Sequence, residues 1–221
     1  MKILVISERN DFRFSSLIRP LEYIGAEIGF TNQVMLEDIK VFSPDIIINN
    51  TKKIVPLNSV TIDASNLQDI EPFIDLVALN YSSYSEKLKS DICYIGNVRE
   101  LEIDVINFIA NCDLSVKVFD VQPNGFHFYA GMISGNETMN IYKSSKVCLL
   151  NDKYSLYREL DIIACNGKIA RTVKDIEEGG YISPKKDTVK NNTNFDRLAQ
   201  IFKKSGLSKI ADKIVSQKGK L

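Results

Sequence analysis

Apolar and polar positions along the chain form alternating blocks, which predict strands followed by helices. The run at 2–7, KILVIS, is short and almost continuously apolar, as expected for a strand buried on both faces of a sheet. The next segment, 15–26, instead places Leu17, Leu21 and Ile24 at helical spacing. The same patterns predict a short helix at 36–42 and strands at 43–50, 60–64 and 75–80.

A polar segment rich in serine and tyrosine, 80–90, separates this series from a second one and is interpreted as a connection between domains. The second series predicts strands at 91–96, 114–120, 146–151 and 168–173, with helices at 100–111, 136–143 and 156–165. Two helices, 194–205 and 207–217, are predicted to close the chain. The alternation indicates an α/β fold of two Rossmann-like domains, with parallel sheets that face a cleft.

Composition narrows the class of protein further. The 221 residues are 44% hydrophobic and 25% charged, and no apolar run approaches the ~18–20 residues of a membrane span, so we expect none. The apolar stretch at the N-terminus is too short for a signal peptide and fits a first strand. The four cysteines lie in apolar segments without C-x-x-C spacing, which favours small core residues and a cytoplasmic location.

Charge is unevenly distributed, although the formal net charge is zero. The segment 185–221 holds nine lysines and one arginine against three aspartates, a surplus of seven positive charges. Such a segment can meet an acidic surface or a polyanion. The alternative is a pair of amphipathic helices with a solvated basic face.

The segment 151–159 follows a predicted strand and runs into a predicted helix, and it forms the first candidate site. A helix N-terminus offers free N–H groups and a partial positive charge, to which phosphates bind. Beside Asn151, Ser155 supplies a hydroxyl and Arg158 a guanidinium for a diphosphate, while Glu159 can accept hydrogen bonds from ribose hydroxyls. The alternative is a serine N-cap followed by an exposed arginine and glutamate.

A second candidate site is Gly96 and Asn97 with Arg99, directly after a predicted strand, where glycine allows a ligand to approach the backbone. A Gly-Asn pair is also a common turn. The sequence contains no G-x-G-x-x-G, Walker A, H-E-x-x-H or G-x-S-x-G motif. The only histidine, His127, fits a partly buried strand residue better than a catalytic base.

The third candidate is the polar loop at 7–16, which follows the first strand. Glu8, Asp11 and Arg13 are expected at the carboxyl end of that strand, facing the cleft. Glu8 or Asp11 could act as general base toward an acceptor hydroxyl. The alternative is a solvated loop.

Three runs in the second half resemble a known family: CYIGN (93–97), IYKSSKVCLLN (141–151) and SLYRELDIIACNGKIA (155–170). Over about 91–180 the chain resembles the C-terminal domain of GT-B glycosyltransferases related to the spore-maturation protein CgeB. The resemblance implies that Arg158 contacts the donor diphosphate, that Glu159 or Asp161 contacts the ribose, and that Gly96 and Asn97 border the donor pocket. It also implies domains at 1–85, reduced in size, and 86–190, with the helices of 191–221 packing back on the first.

The resulting expectation is a metal-independent glycosyltransferase that moves a sugar from a nucleotide sugar, UDP-linked, to a hydroxyl acceptor. No D-x-D motif is present, and no cofactor beyond the donor is expected. Arg158 would stabilise charge on the leaving diphosphate. Two alternatives remain open: a phage-type enzyme that glycosylates hydroxymethylated DNA bases, for which the basic C-terminal segment would contact DNA, and a non-catalytic nucleotide or sugar-phosphate binding module.

Overall fold

The chain divides into two compact units. In the computed structural model the described residues are 1–8, 12–51, 53, 60–63, 72–120, 125–133, 137–151, 155–182 and 187–221. The first unit combines Met1–Val77 with Asn192–Leu221, and the second is Ala78–Asn191. The chain thus leaves the first unit after residue 77 and returns to it for its two closing helices.

Nine strands and a series of helices are described in these residues. The strands are β1 (Lys2–Ser7), β2 (Glu27–Thr31), β3 (Ile46–Asn50), β4 (Val60–Asp63), β5 (Ser90–Ile95), β6 (Val116–Phe119), β7 (Tyr129–Gly131), β8 (Ser145–Leu149) and β9 (Lys168–Ala170). The helices are α1 (Phe12–Ile18), α2 (Leu36–Phe42), α3 (Leu76–Tyr81), α4 (Ile103–Asn111), α5 (Thr138–Ser144), α6 (Ser155–Ala164), α7 (Val173–Glu178), α8 (Asp187–Lys190), α9 (Asn194–Lys204) and α10 (Ser208–Lys218).

The sheet of the first unit is parallel, with the strand order β2-β1-β3-β4. Its central strands, β1 and β3, consist almost wholly of buried residues, because both of their faces are covered. Leu4 and Ile6 of β1 pack with Ile47 of β3 and Ile39 of α2. Helix α9 packs on both α1 and α10, which incorporates the C-terminal segment into this unit.

The sheet of the second unit is also parallel, with the order β7-β6-β5-β8-β9. The chain moves outward from β5 through β6 to β7 and then returns to place β8 on the other side of β5. Such a reversal of strand order is a topological switch point, and ligands of open α/β sheets bind at the carboxyl ends of the strands that flank it. Buried residues of β5, β6 and β8 pack with Val105 and Ile109 of α4.

The predicted α/β class with parallel, Rossmann-like sheets is confirmed, but several elements differ from prediction. The predicted strand at 75–80 is wrong, because Leu76–Tyr81 form α3 and only Val77 of that helix is buried. A run of six residues is too short for its periodicity to distinguish the two structures. Strand β2 was missed because it lies at the sheet edge and contains no fully buried residue.

The first predicted helix is interrupted. Helix α1 ends at Ile18, and the chain continues as a 3₁₀ helix over Arg19–Ile24 with Pro20 in its first turn. Proline has no backbone N–H and fits the first turn of a helical segment better than its interior. The proline therefore separates what the apolar spacing predicted as one helix.

The cysteines lie mainly in the core, as predicted. Cys93 and Cys148 are fully buried cross-strand neighbours on β5 and β8, and all four cysteines are free. Burial raises the pKa of the Cys165 thiol to about 12, so this thiol stays protonated at neutral pH. Within the described part of the chain, no helix combines the length and apolar character needed to cross a membrane.

Asp75 is the centre of a buried polar cluster that joins the C-terminal segment to the first unit. Its carboxylate accepts hydrogen bonds from the Ser16 hydroxyl and, at 3.3 Å, from the Asn194 amide, and it lies 2.8 Å from the Arg19 guanidinium. Beside it, the Ile74 N–H donates to the Asn192 carbonyl at 2.7 Å. Only 7% of the Asp75 side chain is exposed. Its partners therefore have the Asp75 carboxylate, rather than water, as their hydrogen-bond acceptor.

We predict that Asp75→Ala destabilises the protein by about 3 kcal/mol, because the substitution leaves buried donors and a shielded guanidinium without their acceptor. The free energy of unfolding in urea measures the loss. Asp212→Ala, an exposed aspartate of α10, is the matched control and should change this free energy by less than about 0.5 kcal/mol. Equal losses for the two variants would contradict the role given to Asp75.

Candidate functional site

A cavity of about 200 Å³ lies at the carboxyl edge of the second sheet. We call it the carboxyl-edge cavity. It lies over the ends of β5 and β6, and Arg158 enters it from α6. Its described lining consists of Ile95, Gly96, Asn97, Glu100, Phe119, Asp120, Ile133 and Arg158. The cavity therefore occupies the place where the topology of an open parallel sheet favours a ligand.

Arg158 spans the switch point between β5 and β8. It lies in the first turns of α6, the helix that follows β8, and its Nη1 donates a hydrogen bond to the Ile95 carbonyl at the end of β5. This bond holds the guanidinium at the carboxyl edge, where the N-terminal end of α6 contributes a partial positive charge. A fixed guanidinium fork suits the geometry of a phosphate oxygen pair.

Gly96 is required by the position of Arg158. Its φ is +150°, and a Cβ atom at this residue would lie 2.7 Å from Arg158 Nη1 and 2.9 Å from the Tyr94 hydroxyl. Its N–H donates to the Phe119 carbonyl at 2.8 Å, which joins the end of β5 to the end of β6. Any side chain at 96 would displace the guanidinium or the phenol.

The backbone after β5 is held by a small set of polar side chains. The Tyr94 hydroxyl donates to the Asn97 carbonyl at 3.2 Å, the Asn97 side chain accepts from the Arg99 N–H at 3.0 Å, and Asn151 donates to the Glu100 carbonyl at 2.6 Å. Burial raises the pKa of Tyr94, while the nearby Arg158 opposes that rise. The phenol consequently remains a hydrogen-bond donor at neutral pH.

Two carboxylates line the same cavity as Arg158, and neither is among the site residues predicted from the sequence. Asp120 directly follows β6 and is 4% exposed, and Glu100 is half-buried. Asp120 could have been predicted from the sequence, because it is the acidic residue at the carboxyl end of the predicted strand LSVKVFD. The cavity thus combines one cation, which suits an anionic group, with carboxylates that accept hydrogen bonds from hydroxyls.

The other residues predicted for this site have different surroundings. The Glu159 carboxylate lies 2.8 Å from the Arg171 guanidinium, in an ion pair that joins α6 to the end of β9. Asn151 binds the Glu100 carbonyl, and Arg99 is exposed. Ser155 begins α6, but its side chain lies outside the described residues. The predicted contact of Glu159 with a ribose stays a prediction.

The candidate base residues belong to the first unit. Glu8 is exposed, and its Oε1 lies 3.0 Å from the Lys53 ammonium. Asp11 and the side chain of Arg13 lie outside the described residues. A second cavity of about 200 Å³ lies at the carboxyl edge of this sheet. Its described lining consists of Val5, Ser7, Phe14, Ser15, Ile18, Phe30, Thr31 and Asn32.

His127 does not match its predicted environment. The sequence favoured a partly buried strand residue, but His127 is exposed in the turn that precedes β7, with its ring against Phe128. It therefore lies toward the amino end of β7, whereas the carboxyl-edge cavity lies at the opposite edge of the sheet. Among the described residues, no group of three or more His, Cys, Asp or Glu side chains could hold a metal ion.

The chain matches no protein-family model and no curated protein sequence.

We predict that Gly96→Ala destabilises the second unit by about 1–3 kcal/mol, because the new methyl group overlaps Arg158 and Tyr94. Gly131→Ala is the matched control: Gly131 has a φ of +131°, but no neighbouring atom lies within 4 Å of the position that its methyl group would take. Both variants bear backbone strain, so the difference between their urea unfolding free energies isolates the overlap. Equal free energies would show that Gly96 is not packed against Arg158.

Proposed function

We propose that this chain is a glycosyltransferase of the GT-B type that transfers a sugar from a nucleotide-sugar donor, UDP-linked, to a hydroxyl acceptor. The observation that supports the donor site is the Arg158 guanidinium, fixed beside Gly96 at the switch point of the second sheet. That sheet edge is where open α/β sheets bind nucleotides. The three sequence runs that resemble GT-B donor domains lie in the same unit.

The proposed chemistry depends on charge that develops as the donor breaks down. When the bond from the sugar to the diphosphate breaks, negative charge grows on the leaving phosphate oxygens. Arg158 and the N-terminal end of α6 stabilise that charge without a metal ion. Each charge-assisted hydrogen bond contributes about 1.5–3 kcal/mol, and the partly buried position of Arg158 limits screening by water.

The cavity accommodates only part of such a donor. Its volume of about 200 Å³ is below the roughly 300–1,000 Å³ of sites that enclose whole drug-sized ligands. We assign it to the diphosphate and the ribose. On the acceptor side, we propose that a hydroxyl compound binds at the carboxyl edge of the first sheet, where Glu8 or Asp11 removes its proton.

A second candidate function is a nucleotide-binding module without transferase activity. The observation that favours it is the position of the only histidine, His127, in the turn before β7 and away from the carboxyl-edge cavity. A histidine at the site would have supplied an obvious base at neutral pH. The two functions share the donor site and differ only in turnover.

Release of nucleoside diphosphate and labelling of an acceptor distinguish the two functions. UDP-, GDP- and ADP-linked sugars are tested with small hydroxyl compounds and with hydroxymethylated duplex DNA, with and without EDTA. A glycosyltransferase should label one acceptor class, and EDTA should not change the rate. Tight nucleotide binding without transfer to any acceptor would instead support the binding module.

We predict that Arg158→Ala weakens UDP binding by about 10–100-fold, which corresponds to the loss of one charge-assisted interaction. Arg158→Lys should retain part of the affinity, because a lysine keeps the charge but lacks the guanidinium fork. Isothermal titration calorimetry measures the dissociation constants. Lys174→Ala removes an exposed cation of α7 as a control and should leave UDP affinity unchanged. An unaltered dissociation constant for Arg158→Ala would refute the donor site.

A further inference from the structure

Four exposed lysines surround the turn between the two closing helices of the first unit. Lys203 and Lys204 end α9, and Lys209 and Lys213 lie in the first half of α10. Only residues 205–207 separate the two helices, so the four side chains are grouped at one corner of the unit. We call these four lysines the basic patch.

The basic patch has few acidic side chains to balance it. Among the residues that the structure describes, no carboxylate pairs with any of its four ammonium groups. Lys218, at the other end of α10, does form an ion pair, with its Nζ 2.7 Å from the Asp196 carboxylate. The one acidic residue of α10, Asp212, is exposed. The patch and Asp212 together present a surplus of three positive charges to the solvent.

The stability of α10 does not explain the lysines in its N-terminal half. The first turn of α10 contains Lys209 and no acid, and the N-cap residue, Leu207, makes no side-chain capping hydrogen bond. A cation at a helix N-terminus opposes the helix dipole. Lys213 follows four residues later, and like charges at this spacing destabilise a helix. Both lysines weaken the helix that carries them, which favours a role in binding over a role in the fold.

The apolar side of α10 is already covered by the protein. Ala211 and Ile214 are buried, and the helix packs on α9 and on the 3₁₀ helix at Arg19–Ile24. Val215 is the one large apolar side chain of α10 that is exposed. A helix that lies in a membrane surface needs a wide exposed apolar face. The basic patch therefore attracts a partner by charge rather than by burial of apolar surface.

The chemistry and spacing of the cations match a chain of phosphates. Lysine carries a compact, point-like charge that suits phosphate oxygens. Lys209 and Lys213 are separated by about 6 Å along the helix axis, and the lysines of α9 add charge from a second helix. Duplex DNA carries one negative charge per ~1.7 Å of its axis, on two strands. Its backbone therefore offers phosphates to several of these lysines at once.

We infer that the basic patch binds the phosphate backbone of duplex DNA. The contacts neutralise phosphates and do not read base edges, so the affinity is independent of base sequence and falls steeply with salt concentration. DNA binding at this corner goes beyond the proposed function and does not depend on the donor site, because the patch belongs to the first unit and the candidate donor site to the second.

Fluorescence anisotropy with a labelled duplex of about 20 base pairs measures the binding between about 50 and 200 mM salt. The dissociation constant of the wild-type chain should lie in the roughly 10⁻⁴–10⁻⁶ M range of non-specific binding. Its logarithm should rise with the logarithm of the salt concentration with a slope of about 3–4, since each lysine contributes about 0.9. Duplexes of unrelated sequence should bind within about twofold of one another.

Lys209→Glu separates DNA binding from folding. It should weaken binding by about tenfold or more, because one phosphate contact is replaced by a repelling charge. It should preserve or raise the free energy of unfolding in urea, because an acid in the first turn suits the helix dipole and pairs with Lys213. Lys174→Glu is the matched control, since Lys174 is the second residue of α7 as Lys209 is of α10, and it should change the affinity by less than about twofold.

The double variant Lys209→Gln/Lys213→Gln should lower the slope of the salt dependence by about two. Absence of DNA binding by the wild-type chain at the lowest salt, or equal weakening by Lys174→Glu, would overturn the inference. Loss of unfolding free energy in Lys209→Glu would also overturn it, because the lysine would then serve the fold. Poly-glutamate that competes equally at the same charge concentration, or tighter binding to anionic phospholipid vesicles, would assign the patch to another partner and overturn it.

Discussion

The hydrogen bond from the Arg158 guanidinium to the Ile95 carbonyl is the interaction on which the candidate site depends. It connects the helix that follows β8 to the end of β5, across the switch point of the sheet. The close approach leaves no room for a side chain at residue 96, and the cation is held where an anion can reach it. The position of the Arg158 guanidinium and the glycine at residue 96 therefore depend on the same hydrogen bond.

The chemistry of the site follows from strand order more than from any local motif. Residues from the end of β5, the end of β6 and the beginning of α6 meet at one sheet edge, because the strand order reverses at β5 and places β6 and β8 on either side of it. The tertiary arrangement places a cation and two carboxylates in the lining of one small cavity. A ligand with an anionic group and hydroxyls can form hydrogen bonds with both kinds of side chain.

The sequence predicted those elements whose pattern is contained within a few consecutive residues. Continuous apolar runs identified β1, β3, β5 and β8, and the segments that follow β5 and β8 supplied the candidates Gly96 and Arg158. The sequence did not predict elements whose structure depends on contacts between distant residues. Strand β2 is an edge strand without a fully buried residue. Helix α3 is anchored by Asn194, whose side chain accepts a hydrogen bond from the Leu76 N–H. The Glu159–Arg171 ion pair and the burial of Asp120 likewise depend on the folded sheet.

A crystal structure of the chain with UDP is the decisive measurement for the donor site, because it shows where the diphosphate binds. We expect phosphate oxygens to contact the Arg158 guanidinium at the carboxyl edge of the second sheet, beside Gly96. Diphosphate bound at another surface, or a carboxyl-edge cavity closed by side chains in the complex, would contradict it.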